Sequence, residues 1–106
     1  MPSGRNLFVS VVTLGEALYG ATRRKWSTHR TARLRDFYTA RFAVVPVDSD
    51  VAVEYARLRS ATESLGRPVA DNDVWIAASA TANGLPIVTL NRRHFEPLTL
   101  HGLTLL

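Results

Sequence analysis

The hydrophobic pattern begins at Leu7–Val12, LFVSVV, which is apolar on both faces except at Ser10. A strand of this kind suits a parallel sheet that is covered by helices on both sides. Directly after it, apolar residues recur at helical spacing, at Leu14, Ala17, Leu18 and Ala21. The pattern predicts a strand followed by a helix, and this helix ends in the cations Arg23, Arg24 and Lys25, as the helix dipole favours.

A second helix and a second strand follow. The pattern predicts a helix over Trp26–Arg41, capped near Ser27 or Thr28, and a strand over Ala43–Val47. Pro46 lacks a backbone donor, which indicates a strand end or an edge strand. The acidic cluster Asp48–Asp50 then starts a helix whose apolar stripe includes Val51, Tyr55, Leu58 and Thr62, and which ends at Gly66.

The segment from Gly66 to Glu96 carries the most specific pattern. An alanine-rich helix is predicted over Val74–Asn83, and Gly84 suits the left-handed position that follows a helix. Leu85–Leu90 reads as a buried strand, and a last short strand is expected at Leu103–Leu106. The resulting order of strands and helices predicts an α/β fold with a mainly parallel sheet, in one domain over residues 1–106.

Three polar residues follow or face the carboxyl ends of these strands, where ligands of parallel sheets collect. They are Glu16, Asp73 and Asn91. We expect the carboxylates of Glu16 and Asp73 to meet at one edge of the sheet and to bind a divalent cation there.

Each of these acids also has a purely structural interpretation. Thr13 and Glu16 match the capping box, in which the Glu carboxylate folds back to the backbone of the Thr. Asp71 or Asn72 can cap the alanine-rich helix, and Asp73 then lies in the first turn, where the helix dipole favours an anion.

Composition narrows the chemistry. The chain has no Cys, so Asp, Glu and His are the available metal ligands. Its net charge is +4, and Lys25 is the only Lys beside the many Arg residues. Arg makes two-pronged contacts with phosphate, so the charge is compatible with nucleic acid or with a solvated surface. No apolar run is long enough to cross a bilayer, and we expect a cytoplasmic protein.

The motifs resemble those of PIN-domain ribonucleases, and above all the VapC-type toxins of toxin–antitoxin pairs. The resemblance is carried by VSVVTLGEALYGA, VVPVDSDVAVEYARLR, GRPVADNDVWIAASATANGLPIVTLNRRHFE and the closing LTLL. It extends over nearly the whole chain, and it implies a PIN-like three-layer fold with helices on both sides of the sheet.

The resemblance also implies an activity and roles for single residues. The family cuts RNA with Mg²⁺ or Mn²⁺, so Glu16, Asp73 and Asn91 become the candidate catalytic residues, and Asp73 and Glu16 the metal ligands. Asp71, Thr13 and Thr89 become supporting or capping residues. The RNA-backbone candidates are Arg92, Arg93, Arg23 and Arg24. A cognate antitoxin and a homodimer are the implied partners, with no membrane involved.

One family feature has no counterpart in this chain. The family begins with a strand that ends in a metal-binding Asp, and nothing before Leu7 supplies it. The chain is therefore expected to lack about 30 residues at its N-terminus, judged from typical element lengths. The alternatives to a ribonuclease are a non-catalytic module that binds antitoxin or RNA, and a fragment that does not fold alone.

Overall fold

The computed structural model describes residues 7–64, 66, 68–89 and 91–106. The chain divides into two compact units, one within Met1–Pro46 and the other within Val47–Leu106. The N-terminal unit contains β1 (Phe8–Ser10), α1 (Val11–Arg23), α2 (Thr28–Arg41) and β2 (Ala43–Val45). The C-terminal unit contains α3 (Ser49–Ser64), α4 (Asp71–Ala82), α5 (Arg92–Phe95) and the 3-10 helix Glu96–His101. The single domain expected over residues 1–106 stays a prediction.

Strands β1 and β2 form a parallel pair. Their register places Phe8 opposite Ala43 and Ser10 opposite Val45. Because parallel strands need a crossover, the two helices between them provide the connection. This arrangement confirms the α/β class and the parallel pairing that the hydrophobic pattern predicts.

The boundary between β1 and α1 differs from the sequence prediction. Val11 and Val12, expected at the end of the strand, lie in the first turn of α1. Ser10 is the N-cap, and its hydroxyl accepts a hydrogen bond from the Val12 N–H at 3.1 Å. The predicted cap at Thr13 is therefore wrong, because Ser10 supplies the side-chain oxygen one turn earlier.

The predicted α2 is confirmed, and the predicted strand over Ala43–Val47 is shortened to Ala43–Val45. Helix α2 has Ser27 as its N-cap, and the Ser27 hydroxyl accepts from the Arg30 N–H at 3.1 Å. Strand β2 ends at Val45, directly before Pro46, where a residue without an N–H donor is tolerated.

The core of the C-terminal unit lies between α3 and α4. Val51, Leu58, Val74, Ala77 and Ala78 have no exposed side-chain surface. The alanines of α4 are small, so α3 can lie close against this helix. Asp48 caps α3 as predicted, since its carboxylate accepts from the Val51 N–H at 3.0 Å.

The two strands predicted for the C-terminal unit are reduced to one bridge. Ile87 pairs with Leu105 in parallel orientation, through hydrogen bonds of 2.8 Å to Thr104 and 3.0 Å from Leu106. Val88 is 79% exposed, which contradicts a buried strand at this position. Leu90, the predicted end of the strand, lies outside the described residues.

Two short helices follow Asn91. Helix α5 and the 3-10 helix bury Phe95, Pro97 and Leu98 against the core. Gly102 ends the 3-10 helix in the left-handed conformation, with φ 102°. Within the described ranges, no helix combines the length and the hydropathy needed to cross a membrane.

Candidate functional site

Asp73 lies in the first turn of α4, where backbone N–H groups and the helix dipole favour a negative charge. Its side chain is only 18% exposed, and its Oδ2 lies 3.3 Å from Nδ1 of His94. His94 belongs to α5. The carboxylate is thus held between the start of one helix and a side chain of another.

A hydrogen bond links Thr89 to Asn91, which is the N-cap of helix α5. The Asn91 N–H donates to the Thr89 hydroxyl at 3.0 Å. The Asn91 carbonyl accepts from the His94 N–H at 3.0 Å. Contacts therefore link Thr89, Asn91, His94 and Asp73 in sequence, and the side chain of Asn91 lies exposed beside this chain of contacts.

Asp71 has a different role from the predicted cap. The N-cap of α4 is Ala70, which makes no side-chain hydrogen bond, and Asp71 is the first helical residue. Its carboxylate instead accepts hydrogen bonds from the Tyr55 hydroxyl and the Arg59 guanidinium of α3. The Asp71 side chain, predicted from local sequence to cap α4, instead binds these two residues of α3.

The aromatic rings of Tyr55 and Trp75 add a second contact between α3 and α4. The Tyr55 ring stacks on Trp75, with centroids 3.8 Å apart and an interplanar angle of 12°. The spacing is i to i+4 on both helices, so Tyr55 and Arg59 on α3 face Asp71 and Trp75 on α4. These contacts fix the first turn of α4, and with it the position of Asp73.

Hydrogen bonds made by side chains of α3 shift the pKa values of several of its residues. The hydrogen bond to Asp71 is the main cause that raises the pKa of Tyr55 above its ordinary value of 10.0. The pKa of Arg59 is raised chiefly by its hydrogen bond to Glu63, with Asp71 as a smaller cause. On the neighbouring turn of α3, the Arg57 hydrogen bond lowers the pKa of Glu54.

The arginines after Asn91 differ from each other. The Arg92 guanidinium donates to the backbone carbonyl of Leu106, so this side chain is engaged within the unit. Arg93 is exposed on α5. Arg93 is accordingly the better placed of the two for contact with a phosphate.

The N-terminal unit holds the remaining candidates. Glu16 and Thr13 both lie within α1, with Glu16 exposed and Thr13 half-buried. The capping interpretation of Glu16 is wrong, because α1 begins at Val11 and is capped by Ser10. Arg23 is the last residue of α1 and Arg24 follows it as the C-cap, and both are exposed. The predicted meeting of Glu16 with Asp73 stays a prediction.

The fit to a divalent cation can be judged from the donors around Asp73. Mg²⁺ prefers oxygen ligands in octahedral geometry, and a half-buried carboxylate at a helix N-terminus suits one such position. In the part of the chain that the structure describes, no three His, Asp or Glu side chains are clustered closely enough to hold a metal. Asp73 therefore fits as a ligand, while the described residues do not by themselves make a complete metal site.

Sequence reasoning missed His94, Tyr55 and Arg59 as partners of the acids. The short helix that turns His94 toward Asp73 carries no strong local signal in the sequence. For Tyr55 and Arg59 the sequence predicts a helix and, from their i, i+4 spacing, a shared face of α3. It does not predict that this face contacts Asp71.

Comparison with known proteins places these residues in a family. The PIN domain family matches residues 3–97. This chain belongs to the PIN-domain family. The matched range contains Glu16, Asp73 and Asn91. The α/β arrangement described above is a PIN-domain fold.

Individual relatives of this PIN domain are also similar over most of the chain. Ribonuclease VapC5 of Mycobacterium tuberculosis is 40% identical over 81 residues, which are 76% of this chain and 60% of the relative. The tRNA(fMet)-specific endonuclease VapC of Shigella flexneri is 36% identical over 88 residues, which are 83% of this chain and 66% of the relative.

A solved structure agrees with these sequence similarities. The crystal structure of VapBC-5 from Mycobacterium tuberculosis, a member of the VapBC family of toxin-antitoxin systems, superimposes with a TM-score of 0.67 and 36% identity. The superposition covers 84% of this PIN domain and 71% of that chain. The chain spans 60% to 66% of the length of the two curated relatives above.

Proposed function

We propose that this protein is an endoribonuclease that hydrolyses RNA phosphodiester bonds, and that it acts as the toxin of a toxin–antitoxin pair. The observation that carries the proposal is the placement of Asp73, held in the first turn of α4 with His94 at 3.3 Å, inside a PIN-domain match. The relatives named as a ribonuclease and an endonuclease support the same reaction class.

The hydrolysis itself is a simple exchange of bonds. A water oxygen forms a bond to phosphorus, the bond from phosphorus to the leaving nucleotide oxygen breaks, and that oxygen takes up a proton. In this chain, the first turn of α4 positions Asp73, and the His94 contact restrains the direction of its carboxylate. The exposed side chain of Asn91 offers an amide oxygen and N–H donors.

A divalent cation, Mg²⁺ or Mn²⁺, is part of the proposal. Asp73 is its candidate ligand in the C-terminal unit and Glu16 in the N-terminal unit, both on the basis of the family resemblance. When bound, such an ion polarises the phosphate and lowers the pKa of a coordinated water. The expected lack of the family's first metal-binding Asp stays a prediction.

The proposed partners follow from the relatives. VapBC-5 supports an antitoxin as the partner of this chain. A homodimer and a cytoplasmic location belong to the same proposal, and they rest on the family resemblance.

The test is RNA cleavage in Mg²⁺ or Mn²⁺ by the wild-type chain and by Asp73→Asn. We expect Asp73→Asn to lower the cleavage rate at least about 100-fold, because several kcal/mol of charge stabilisation is lost. Glu16→Gln should lower it in the same direction. The matched control is Asp50→Asn, which makes the same change in the first turn of α3 and should leave cleavage unchanged.

Two results would count against the proposal. One is cleavage by Asp73→Asn at the wild-type rate. The other is an absence of cleavage by the wild-type chain, and by the chain extended with an Asp-bearing N-terminal strand from a relative, under conditions in which that relative cuts. RNA binding without any cleavage would assign the chain to the non-catalytic alternative.

A further inference from the structure

Helix α2 carries an ordered surface that the proposed reaction does not use. Its outward residues follow the spacing of one helical stripe, and Trp26 precedes them. We call this surface the Arg–aromatic stripe, and it consists of Trp26, Arg30, Arg33, Phe37 and Arg41.

Two pairs within the stripe are stacked. The Arg30 guanidinium carbon lies 3.7 Å from the centroid of the Trp26 ring. The Arg41 guanidinium carbon lies 4.3 Å from the centroid of the Phe37 ring. Arg33 lies between the two pairs along the helix. An Arg plane held against a ring is oriented in advance, and its N–H donors remain directed outward.

Exposure and charge show that the stripe faces solvent. Helix α2 has no buried residue, and Phe37 is 46% exposed. Leu34 and Tyr38, on the side of the helix that adjoins the stripe, are half-buried. Between Thr28 and Arg41 the helix carries four Arg and one Asp. The exposed side is thus cationic and aromatic at once.

This combination fits single-stranded nucleic acid. Basic side chains contact the phosphates, while rings and guanidinium planes stack with unpaired bases. The stripe from Arg30 to Arg41 is about 16 Å long at 1.5 Å per residue, which suffices for a short run of nucleotides. A second copy of this chain would bring like charges together, so charge complementarity favours a polyanion over self-association.

We propose that the Arg–aromatic stripe of α2 binds single-stranded RNA, as the surface that holds the substrate strand. The proposal rests on the proposed function only in taking RNA as the substrate. It assigns binding to a helix that carries none of the candidate catalytic residues, so binding and cleavage can be measured separately.

The experiment is a fluorescence anisotropy titration of labelled poly(U) with the wild-type chain in EDTA, at several salt concentrations. The triple variant Arg30→Gln, Arg33→Gln and Arg41→Gln should weaken binding at least tenfold. It should also lower the slope of log K against log salt by about 2, because each phosphate contact contributes about 0.7 for a single strand.

A matched single pair isolates the stripe from net charge. Arg33→Gln removes one cation from the stripe, and Arg35→Gln removes one from the flank of the same helix, where Arg35 pairs with Asp36 at 3.2 Å. We expect a threefold to tenfold weaker Kd for Arg33→Gln and a change below twofold for Arg35→Gln. Equal effects of the two variants would overturn the proposal, because only bulk charge would then matter.

Stacking is tested by variants that keep the charge. Replacing Arg30 and Arg41 with Lys should retain the salt slope and still weaken binding severalfold, since Lys lacks the planar group. Phe37→Ala should weaken binding without changing the salt slope. We expect circular dichroism to show the same helix content for these variants as for the wild-type chain.

Asp73→Asn separates this inference from the nuclease proposal. Stripe-dependent RNA binding by Asp73→Asn at wild-type affinity supports the stripe even if the chain never cleaves RNA. Tighter binding of the matching DNA strand would overturn RNA as the occupant. RNA affinity that is indifferent to the stripe, together with loss of antitoxin binding in the triple variant, would assign the surface to a protein instead.

Discussion

Helices α2 and α4 are similar in length and opposite in surroundings. Helix α2 buries none of its residues, whereas α4 buries Val74 and the run Ala77–Ala80. The small side chains of α4 allow close packing, while the long cationic side chains of α2 remain hydrated. One helix therefore contributes stability and a fixed position for Asp73, and the other contributes an exposed charged surface. In this chain, the size and charge of a helix's side chains decide whether the helix packs into the core or forms a charged surface.

The largest expected effect comes from introducing the same negative charge into each helix, at a buried position in α4 and at an exposed position in α2. Ala78→Asp places a carboxylate at a position with no exposed surface. Its desolvation should cost several kcal/mol, a large part of the total stability of a small protein. Ala40→Asp makes the same change on the exposed side of α2, where the cost should stay within about 1 kcal/mol.

Urea denaturation followed by circular dichroism measures both variants. We expect Ala78→Asp to lose cooperative unfolding or to shift the midpoint far downward, and Ala40→Asp to remain close to wild type. Similar midpoints for the two variants would show that the α3–α4 core is not what stabilises this chain.

The helix N-termini offer a smaller effect with a sign that differs between the helices. Ser27 and Ala70 have nearly the same backbone angles, φ −60° and ψ 157° against φ −56° and ψ 141°. Only the Ser side chain accepts a hydrogen bond from its helix. Ser27→Ala should therefore cost about 1 kcal/mol of unfolding free energy, and Ala70→Ser should gain up to a similar amount.

The same denaturation experiment gives the two changes as shifts of the midpoint in opposite directions. If Ala70→Ser destabilised the chain, the first turn of α4 would have to be satisfied already by groups other than a cap. Asp71 and its partners would then contribute more to holding the first turn of α4 than the cap-like backbone angles of Ala70 indicate.

The two helices also mark what the sequence could predict. The N-cap of α2 near Ser27 and the alanine-rich helix α4 were both predictable, because caps and helix-forming residues are local signals. The position of Asp71 was not, since its partners Tyr55 and Arg59 lie on another helix. From local sequence, a short acidic side chain before a helix is predicted to be a cap. The donors that Asp71 binds instead come close to it only when the chain is folded.

The candidate site shows the same division. Asp73 was placed correctly in the first turn of its helix by pattern alone. The contact from His94 was missed, because it depends on a four-residue helix, and the strand expected at Leu85–Leu90 is reduced to the bridge at Ile87. Strand pairing requires a neighbour, and a hydrophobic run does not reveal which neighbour it will have.

The smallest expected effect tests the contact that joins α3 to α4. The Tyr55 hydroxyl donates to Asp71, and this raises the pKa of Tyr55 above 10.0 in the folded state. A raised pKa means that the stabilisation is fully present below the unfolded pKa and is lost as the pH rises through the folded pKa. Tyr55→Phe should therefore be less stable than wild type below about pH 10, and the difference should shrink at higher pH.

The size should stay below about 1 kcal/mol, since Asp71 and Arg59 are substantially exposed and water screens their charges. The measurement is the unfolding free energy in urea from neutral pH to pH values above 10, for wild type, Tyr55→Phe and Asp71→Asn. Asp71→Asn weakens the main cause of the shift, so it should flatten the same alkaline limb. A wild-type curve that runs parallel to that of Tyr55→Phe through this range would remove the hydrogen bond as a stabilising contact. The first turn of α4 would then be fixed by the stacking of Tyr55 on Trp75 and by the contact of Arg59 with Asp71.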